Sequence, residues 1–270
     1  MRDAADSLAS TIEDTDGLLL VVTGAGVSSA SGIPTFRGRD PGAVWKVSDT
    51  ELATWEYFQR DPVGQWKWYL DRFRAVDSAR PNPAHDALVE LERWQTNRGA
   101  DFLLVTQNID TLHEEAGSSK LIKVHGTSDR LRCTRPGCNR AAPAGSLARR
   151  RTDIDAFRSD PGPETLPRCP ECRQLLRAHV LFFDEYYQEH HDYRFDEVLA
   201  AGDATDLLLF VGTSFSVGIT DLLLQAATRR RVPVFSIDPG GSQAPRFFRV
   251  TAVEQPAETV LPAIVDRLTR

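Results

Sequence analysis

Short runs of continuous apolar residues recur along the chain, each ended by glycine or small polar residues: Leu18–Val22, Phe102–Val105, Leu121–Val124, Asp206–Val211 and Val232–Ile237. Unbroken apolar runs of this length read as parallel strands buried on both faces. Between them the pattern changes to helical spacing, over 62–76, 82–95, 217–231 and 258–270. The third of these helices ends on Arg229, Arg230 and Arg231, where cations suit the helix dipole. Strands alternating with helices predict an α/β fold, a Rossmann-like open parallel sheet with helices on both faces.

Two segments break the alternation. Residues 39–100 hold all five tryptophans and predict a helical insertion. Residues 131–178 hold all four cysteines, are rich in Pro, Gly and Arg, and show little periodicity. They predict a small module that needs a metal to hold its shape. The remainder, 1–38, 101–130 and 179–270, is assigned to the sheet domain.

The residues at the end of each strand carry the chemistry. The strands run into TGAG (23–26), TQNID (106–110), HG (125–126), GTS (212–214) and DPGG (238–241). In an open α/β sheet the carboxyl ends of the strands form the ligand edge, so five such loops predict one large ligand. Gly24 and Gly26 permit a sharp turn and close approach of a phosphate to the backbone. The ordinary dinucleotide fingerprint nevertheless fails: Ser29 stands where its third glycine belongs, and no acidic residue ends a second strand about 20 residues on. On this motif alone a tight strand–helix turn without ligand stays open.

Composition narrows the class. The chain has 270 residues and a net charge of −6, which argues against nucleic acid as the main ligand. It lacks the ~18 consecutive apolar residues of a membrane helix, and its acidic start is unlike a signal peptide. No membrane association and a cytoplasmic location are therefore expected. Cys133-x4-Cys138 and Cys169-x2-Cys172 form two close pairs. In a chain that is not exported this spacing reads as metal binding before disulfides. Four thiolates suit one closed, structural Zn2+ site, with disulfides or free thiols as the alternatives.

The run GAGVSSASGIPTFRG (24–38) resembles the signature of sirtuins, the silent-information-regulator family of NAD-dependent protein deacylases. Val27 and Ala30 stand where the family has isoleucine and glutamate. TQNID, HG, GTS and SID (236–238) resemble its further motifs in order. PAETVLP (256–262) resembles the segment whose backbone meets adenine. The resemblance runs from about Leu18 to Pro262 and makes the sheet domain an NAD-binding domain. It implies NAD contacts from Gly24, Ala25, Gly26, Ser28, Pro34, Thr35, Phe36, Arg37, Gln107, Asn108, Ile109, Asp110, Gly212, Thr213, Ser214, Asp238 and Ala257.

The catalytic residues carried over are His125, Asn108 and Asp110. Asn108 and Asp110 would orient the nicotinamide amide, the ribose and an ordered water. His125 would be the general base for a ribose hydroxyl, a role that an unperturbed pKa near 6.5 suits. The bland alternatives are a hydrogen-bonded histidine at a strand end, and a capping role for NID. Substrates would be acylated-lysine proteins or peptides. An ADP-ribosyltransferase or NAD hydrolase, and a non-catalytic NAD-sensing module, are the alternative functions.

A further pattern resembles the desuccinylase and demalonylase class, where an alanine opens the acyl pocket and a Y-x-x-R pair comes after it. Here these are Ala53, Tyr69 and Arg72. Residues three apart share a helix face, and an arginine fork beside a phenol suits a carboxylate. Otherwise Arg72 pairs with Asp71 or Glu56, and Tyr69 is core. The loop VLFFDEYYQEHH (180–191) resembles the segment that meets substrate through Val180, Phe182 and Phe183, with Asp184 replacing a glycine. His190 and His191 read as exposed loop residues, and Arg149–Arg151 as a solvated face.

Overall fold

The computed structural model describes residues 3–34 and 47–270. The chain begins with α1 (Ala4–Glu13) and β1 (Leu18–Thr23), then four helices: α2 (Val47–Leu52), α3 (Trp55–Arg60), α4 (Pro62–Ser78) and α5 (Pro83–Asn97). It continues through β2 (Asp101–Thr106), α6 (Leu112–Ala116), β3 (Leu121–Lys123), β4 (Gly126–Cys133), β5 (Leu147–Ala148), α7 (Arg151–Ser159) and β6 (Leu176–Val180). The last third comprises α8 (Phe195–Ala204), β7 (Leu207–Val211), α9 (Gly218–Arg230), β8 (Val234–Ile237), β9 (Thr251–Val253) and α10 (Ala257–Leu268).

Six strands form a parallel sheet in the order β3-β2-β1-β7-β8-β9. Side chains alternate across it. Leu19 and Val21 pack under α1, α5 and α10 with Leu8, Ile12, Leu88, Leu91 and Leu261. Leu20 and Val22 pack against α8 and α9 with Val198, Leu223 and Leu224. Burial on both faces is why the strand sequences are unbroken apolar runs. The strand order reverses between β1 and β7, the position where open α/β sheets bind ligands.

The second sheet is antiparallel, β5-β4-β6. It shares one core with the tryptophan-rich helices: Phe58, Trp66, Tyr69 and Phe73 meet Leu131, Ile154, Phe157, Leu176 and Phe182. The Trp66 indole also donates to the Leu176 carbonyl at 2.9 Å. The two interrupting segments are thus joined to each other. Helix α5, although it lies within 39–100, packs on the parallel sheet instead, through Ala84, Leu88 and Leu91. Its start is capped by Asn82, whose side-chain amide also donates to the Val27 carbonyl and to Ser31. This ties α5 to the glycine loop.

Several elements carry too weak a pattern to be predicted, among them α1, β4, β5, α7, β6, α8 and β9. In β6 every residue is buried, yet two of the five are Arg177 and His179, so no apolar run marks it. Among the described residues no helix is long and apolar enough to cross a membrane.

Candidate functional site

The loops after β1 and β7 meet at the switch point. Gly24 N–H donates to the Val211 carbonyl at 3.0 Å and Gly26 N–H to the Gly212 carbonyl at 2.8 Å. A Cβ on Gly26 would sit 2.6 Å from the Gly212 Cα, and Gly212 itself has φ +59°. The glycines therefore let two backbones touch, a demand the sequence does not reveal. Ala25 opens the seven-residue 3-10 helix (Ala25–Ser31) that follows β1, with Ser28 buried in it. Pro34 is the last described residue of this loop, and Thr35, Phe36 and Arg37 lie outside the described residues.

The strand β2 delivers TQNID against that loop. Asn108 Nδ2 donates to the Gly24 carbonyl and to Ser28 Oγ, both at 3.1 Å, and Ser28 Oγ donates to Asp110 Oδ2 at 2.9 Å. Asn108 and Asp110 are 8% and 5% exposed, so this polar chain is built in rather than solvated. Asp110 Oδ1 also accepts the Leu112 N–H at 3.1 Å, so the expected capping of α6 coexists with the cluster. Gln107 reaches the Thr23 carbonyl and Thr213 Oγ1. Ile109 packs beneath, against the core shared by the helices and the antiparallel sheet.

His125 sits where β3 ends and β4 begins. Its Nδ1 lies 2.9 Å from the Gln107 carbonyl oxygen, and its Nε2 lies 2.8 Å from the Tyr187 hydroxyl. Burial pulls the imidazole pKa down to about 4, with the Gln107 carbonyl opposing. The ring is therefore neutral near pH 7. The next residue is Gly126 because a Cβ there would stand 2.2 Å from the His179 carbonyl oxygen at φ +80°. Tyr187 is not among the site residues the sequence predicts. Its one sequence signal is its place in the tyrosine pair after Asp184.

On the far rim, Thr213 is buried, and Ser214 shares a 2.7 Å bond with Ser216. Asp238, at the end of β8, accepts the Gly240 N–H at 2.8 Å, and burial raises its carboxyl. Ala257 is buried at the first position of α10. The residues expected to meet one ligand thus lie at the carboxyl edge of the parallel sheet, apart from the three outside the described range.

Next to this edge, Ala53, Tyr69, Val180 and Phe182 are buried in one core. The Tyr69 ring stacks on Phe182 at 6.1 Å, and its phenol is pushed up by burial. The Arg72 guanidinium lies 3.5 Å over the Trp68 ring, while Asp71 pairs with Arg74. Phe183 donates its N–H to the Ala53 carbonyl at 3.0 Å, but its side chain is 53% exposed. It faces outward rather than packing with Tyr69 in that core. Asp184 accepts the backbone N–H groups of Trp55 and Glu56.

Two expectations for charged loop residues are corrected. His190 is buried, not exposed: its Nδ1 accepts from Arg132, and its Nε2 lies 3.5 Å from Glu185. Arg132 and Arg177 are buried cations, and a buried charge needs partners. Asp192 and Glu185 supply the carboxylates, and His190 a further acceptor. Arg149 is likewise not on a solvated face. It pairs with Asp77 and lies 4.3 Å over the Phe73 ring, covering apolar surface with its stem.

The four cysteine sulfurs of Cys133, Cys138, Cys169 and Cys172 lie within 4.8 Å of one another. The closest pairs are 3.4 and 3.8 Å apart, too far for the ~2.05 Å of a disulfide. A tetrahedron with Zn–S bonds of about 2.3 Å has edges near 3.8 Å, so the set fits one structural zinc ion. Burial pushes the Cys133 thiol up, whereas the Gln174 N–H draws Cys172 down.

The likeness to known proteins agrees with this geometry. Residues 24–218 match the family model described as the Sir2 family. An NAD-dependent protein deacylase of Leptospira interrogans is 38% identical over 81% of this chain and 80% of its own length. One of Thermus thermophilus is 42% identical over 73% of this chain and 69% of its own. A solved Sir2 homologue in complex with NAD superposes with a TM-score of 0.78 at 33% identity, over 97% of this chain and 93% of that one. By family model, by sequence and by fold, the chain belongs to the Sir2 family.

Proposed function

We propose that this protein is an NAD-dependent protein-lysine deacylase, and that it removes succinyl and malonyl groups as well as acetyl. The observation that carries the activity is the neutral His125 beside the Ser28–Asn108–Asp110 chain, at the edge where the strand order reverses. Bound NAD would supply an electrophilic sugar carbon and carry the acyl group away. Nicotinamide, free lysine and an acyl ester of ADP-ribose are the products.

The roles of the side chains rest on their chemistry. Gly24, Gly26 and Gly212 keep the loop backbones low, so a pyrophosphate can lie across them. Asn108 and Asp110, held by Ser28, orient the amide end of the cofactor and a water. His125 takes a proton at Nε2 from a ribose hydroxyl while Nδ1 stays bonded to the Gln107 carbonyl. Zinc at the four cysteines is structural: with four thiolates it has no open position for chemistry. The acyl pocket lies in the 39–100 insertion, the zinc module in 131–178, and the NAD domain in the rest. Intact thiols and NAD both fit a cytoplasmic location.

The preference for acidic acyl chains rests on Tyr69 and Arg72, one helical turn apart on α4, with the Tyr69 ring stacked on Phe182. The test is a panel of acetyl-, malonyl- and succinyl-lysine peptides incubated with NAD and read by mass. Acyl-ADP-ribose is the expected product. Free ADP-ribose alone would indicate a hydrolase, and NAD binding without nicotinamide release a sensor. Arg72→Met should cut succinyl turnover by about 100-fold and acetyl turnover little, since a charged hydrogen-bonded pair contributes up to ~3 kcal/mol. Equal losses would defeat the carboxylate role.

A further inference from the structure

The His125 imidazole is bonded at both nitrogens, and its partners fix where its proton sits. A carbonyl oxygen only accepts, so Nδ1, 2.9 Å from the Gln107 oxygen, carries the hydrogen. In the neutral ring Nε2 then has a bare lone pair. The atom 2.8 Å from it is the Tyr187 hydroxyl oxygen, which must donate. We propose that Tyr187 is a positioning residue for deacylation: its hydroxyl aligns the Nε2 lone pair of His125 and disfavours the imidazolium before substrate arrives. This rests on reading His125 as the general base.

Tyr187 is held in place by more than this bond. One face of its ring stacks on Phe195 at 4.2 Å and 6°, and the ring lies 5.8 Å from the imidazole at 24°. The chain on either side is fastened. Glu185 is gripped by both terminal nitrogens of Arg177 and accepts the Phe182 N–H. His190 and Asp192 accept from buried Arg132, and the Tyr193 ring stacks on His190 at 4.8 Å. A phenol fixed this firmly is a built feature of the base. Burial pushes the Tyr187 phenol up, so it remains a donor.

The proton step balances without Tyr187 changing its own state. A hydroxyl arriving at Nε2 takes over the lone pair from the phenol. Its proton passes to Nε2 and its oxygen keeps the O–H electron pair, so one O–H bond breaks and one N–H bond forms. The imidazolium retains its Nδ1–H on the Gln107 carbonyl, and Tyr187 keeps its hydrogen. A donor to the neutral ring lowers the ring's proton affinity, so removing that donor should raise it.

The experiment compares zinc-loaded wild type with Tyr187→Phe, free of ligand, by nitrogen NMR of the histidine rings. The His125 midpoint is expected to rise by about one pH unit. The acid limb of kcat/KM on an acetyl-lysine peptide should rise equally, giving a roughly tenfold loss on the limb and little change on the plateau. An unmoved midpoint, or a wild-type ring protonated at Nε2 instead of Nδ1, would overturn the proposal. If Tyr187→Phe does not fold, 3-fluorotyrosine at position 187, a stronger donor on the same ring, should lower the midpoint, and no change would overturn it. His125→Ala separates the two readings. Retained turnover sinks the general base itself, whereas a dead variant beside an unshifted Tyr187→Phe midpoint sinks Tyr187 alone.

Discussion

The carboxylate of Asp184 lies 2.7 Å from the backbone nitrogen of Trp55, the first residue of α3, and its second oxygen reaches the Glu56 nitrogen at 3.0 Å. A residue of loop 180–191 thus caps a helix 129 positions earlier in the chain. The first N–H groups of a helix lack internal partners and favour an anion. The aspartate at this position therefore has a structural role, tying loop 180–191 to the start of α3.

Asp184→Gly restores the family residue and removes this lock. It should lower stability by about 1 kcal/mol, the scale of a lost cap. It should also raise KM for an acyl peptide several-fold while kcat changes little. Thermal melts and steady-state kinetics check both. A KM at the wild-type value would show that the cap does not govern substrate binding.

Gly26→Ala forces a methyl to within 2.6 Å of the Gly212 Cα. Backbone cannot yield as a side-chain tip does, so a loss of about 2 kcal/mol is expected, with NAD binding weakened more than peptide binding. Gly212→Ala adds the left-handed strain of φ +59°. Calorimetric titration with NAD distinguishes these variants from Gly162→Ala, a control whose added Cβ meets nothing within 4 Å.

Folding should become less favourable as pH falls from 7 to 5. Burial lowers the pKa values of His85 and His113, that of His125 to about 4 and that of His179 to about 2. His125 and His179 stay neutral in the folded protein across this window, and His85 and His113 take up protons less readily folded than unfolded. In the unfolded chain they protonate near 6.5. The unfolded state therefore binds more protons, and stability falls with decreasing pH, by up to about 1.4 kcal/mol per pH unit for each histidine. Denaturant midpoints at saturating zinc measure the slope. A flat profile would mean that these histidines are charged in the fold.

Zinc removal should propagate to the catalytic edge. Cys133 ends β4, next to Arg132, and β4 pairs with β6, which carries Arg177. These two arginines fasten the loop that holds Tyr187. Chelation, or Cys169→Ser, should loosen 131–178 and abolish turnover while the parallel sheet keeps its own core. Hydrogen exchange should rise in β4 and β6 and stay low in β1, β2 and β7. Uniform loss of protection would show that the sheet depends on the metal too.

The sequence by itself determined five of the six strands of the parallel sheet, because burial on both faces demands continuous apolar runs, and those are visible without knowing any neighbour. It determined the metal donors, since thiols at short spacing leave a local trace. It also determined the loops at the ligand edge, through residue types that few other contexts need.

Tertiary structure alone decided the rest. The bond between Tyr187 and His125 spans 62 positions, and no periodicity encodes it. Arg132, Arg177, His179 and His190 read as surface residues by type, yet they are buried, since pairing offsets a desolvation cost that composition cannot show. Even the glycines of the first loop, legible as a cradle for phosphate, proved to serve a contact between two backbones. Local pattern records which faces are buried, whereas the identity of what covers them is settled only when distant segments meet.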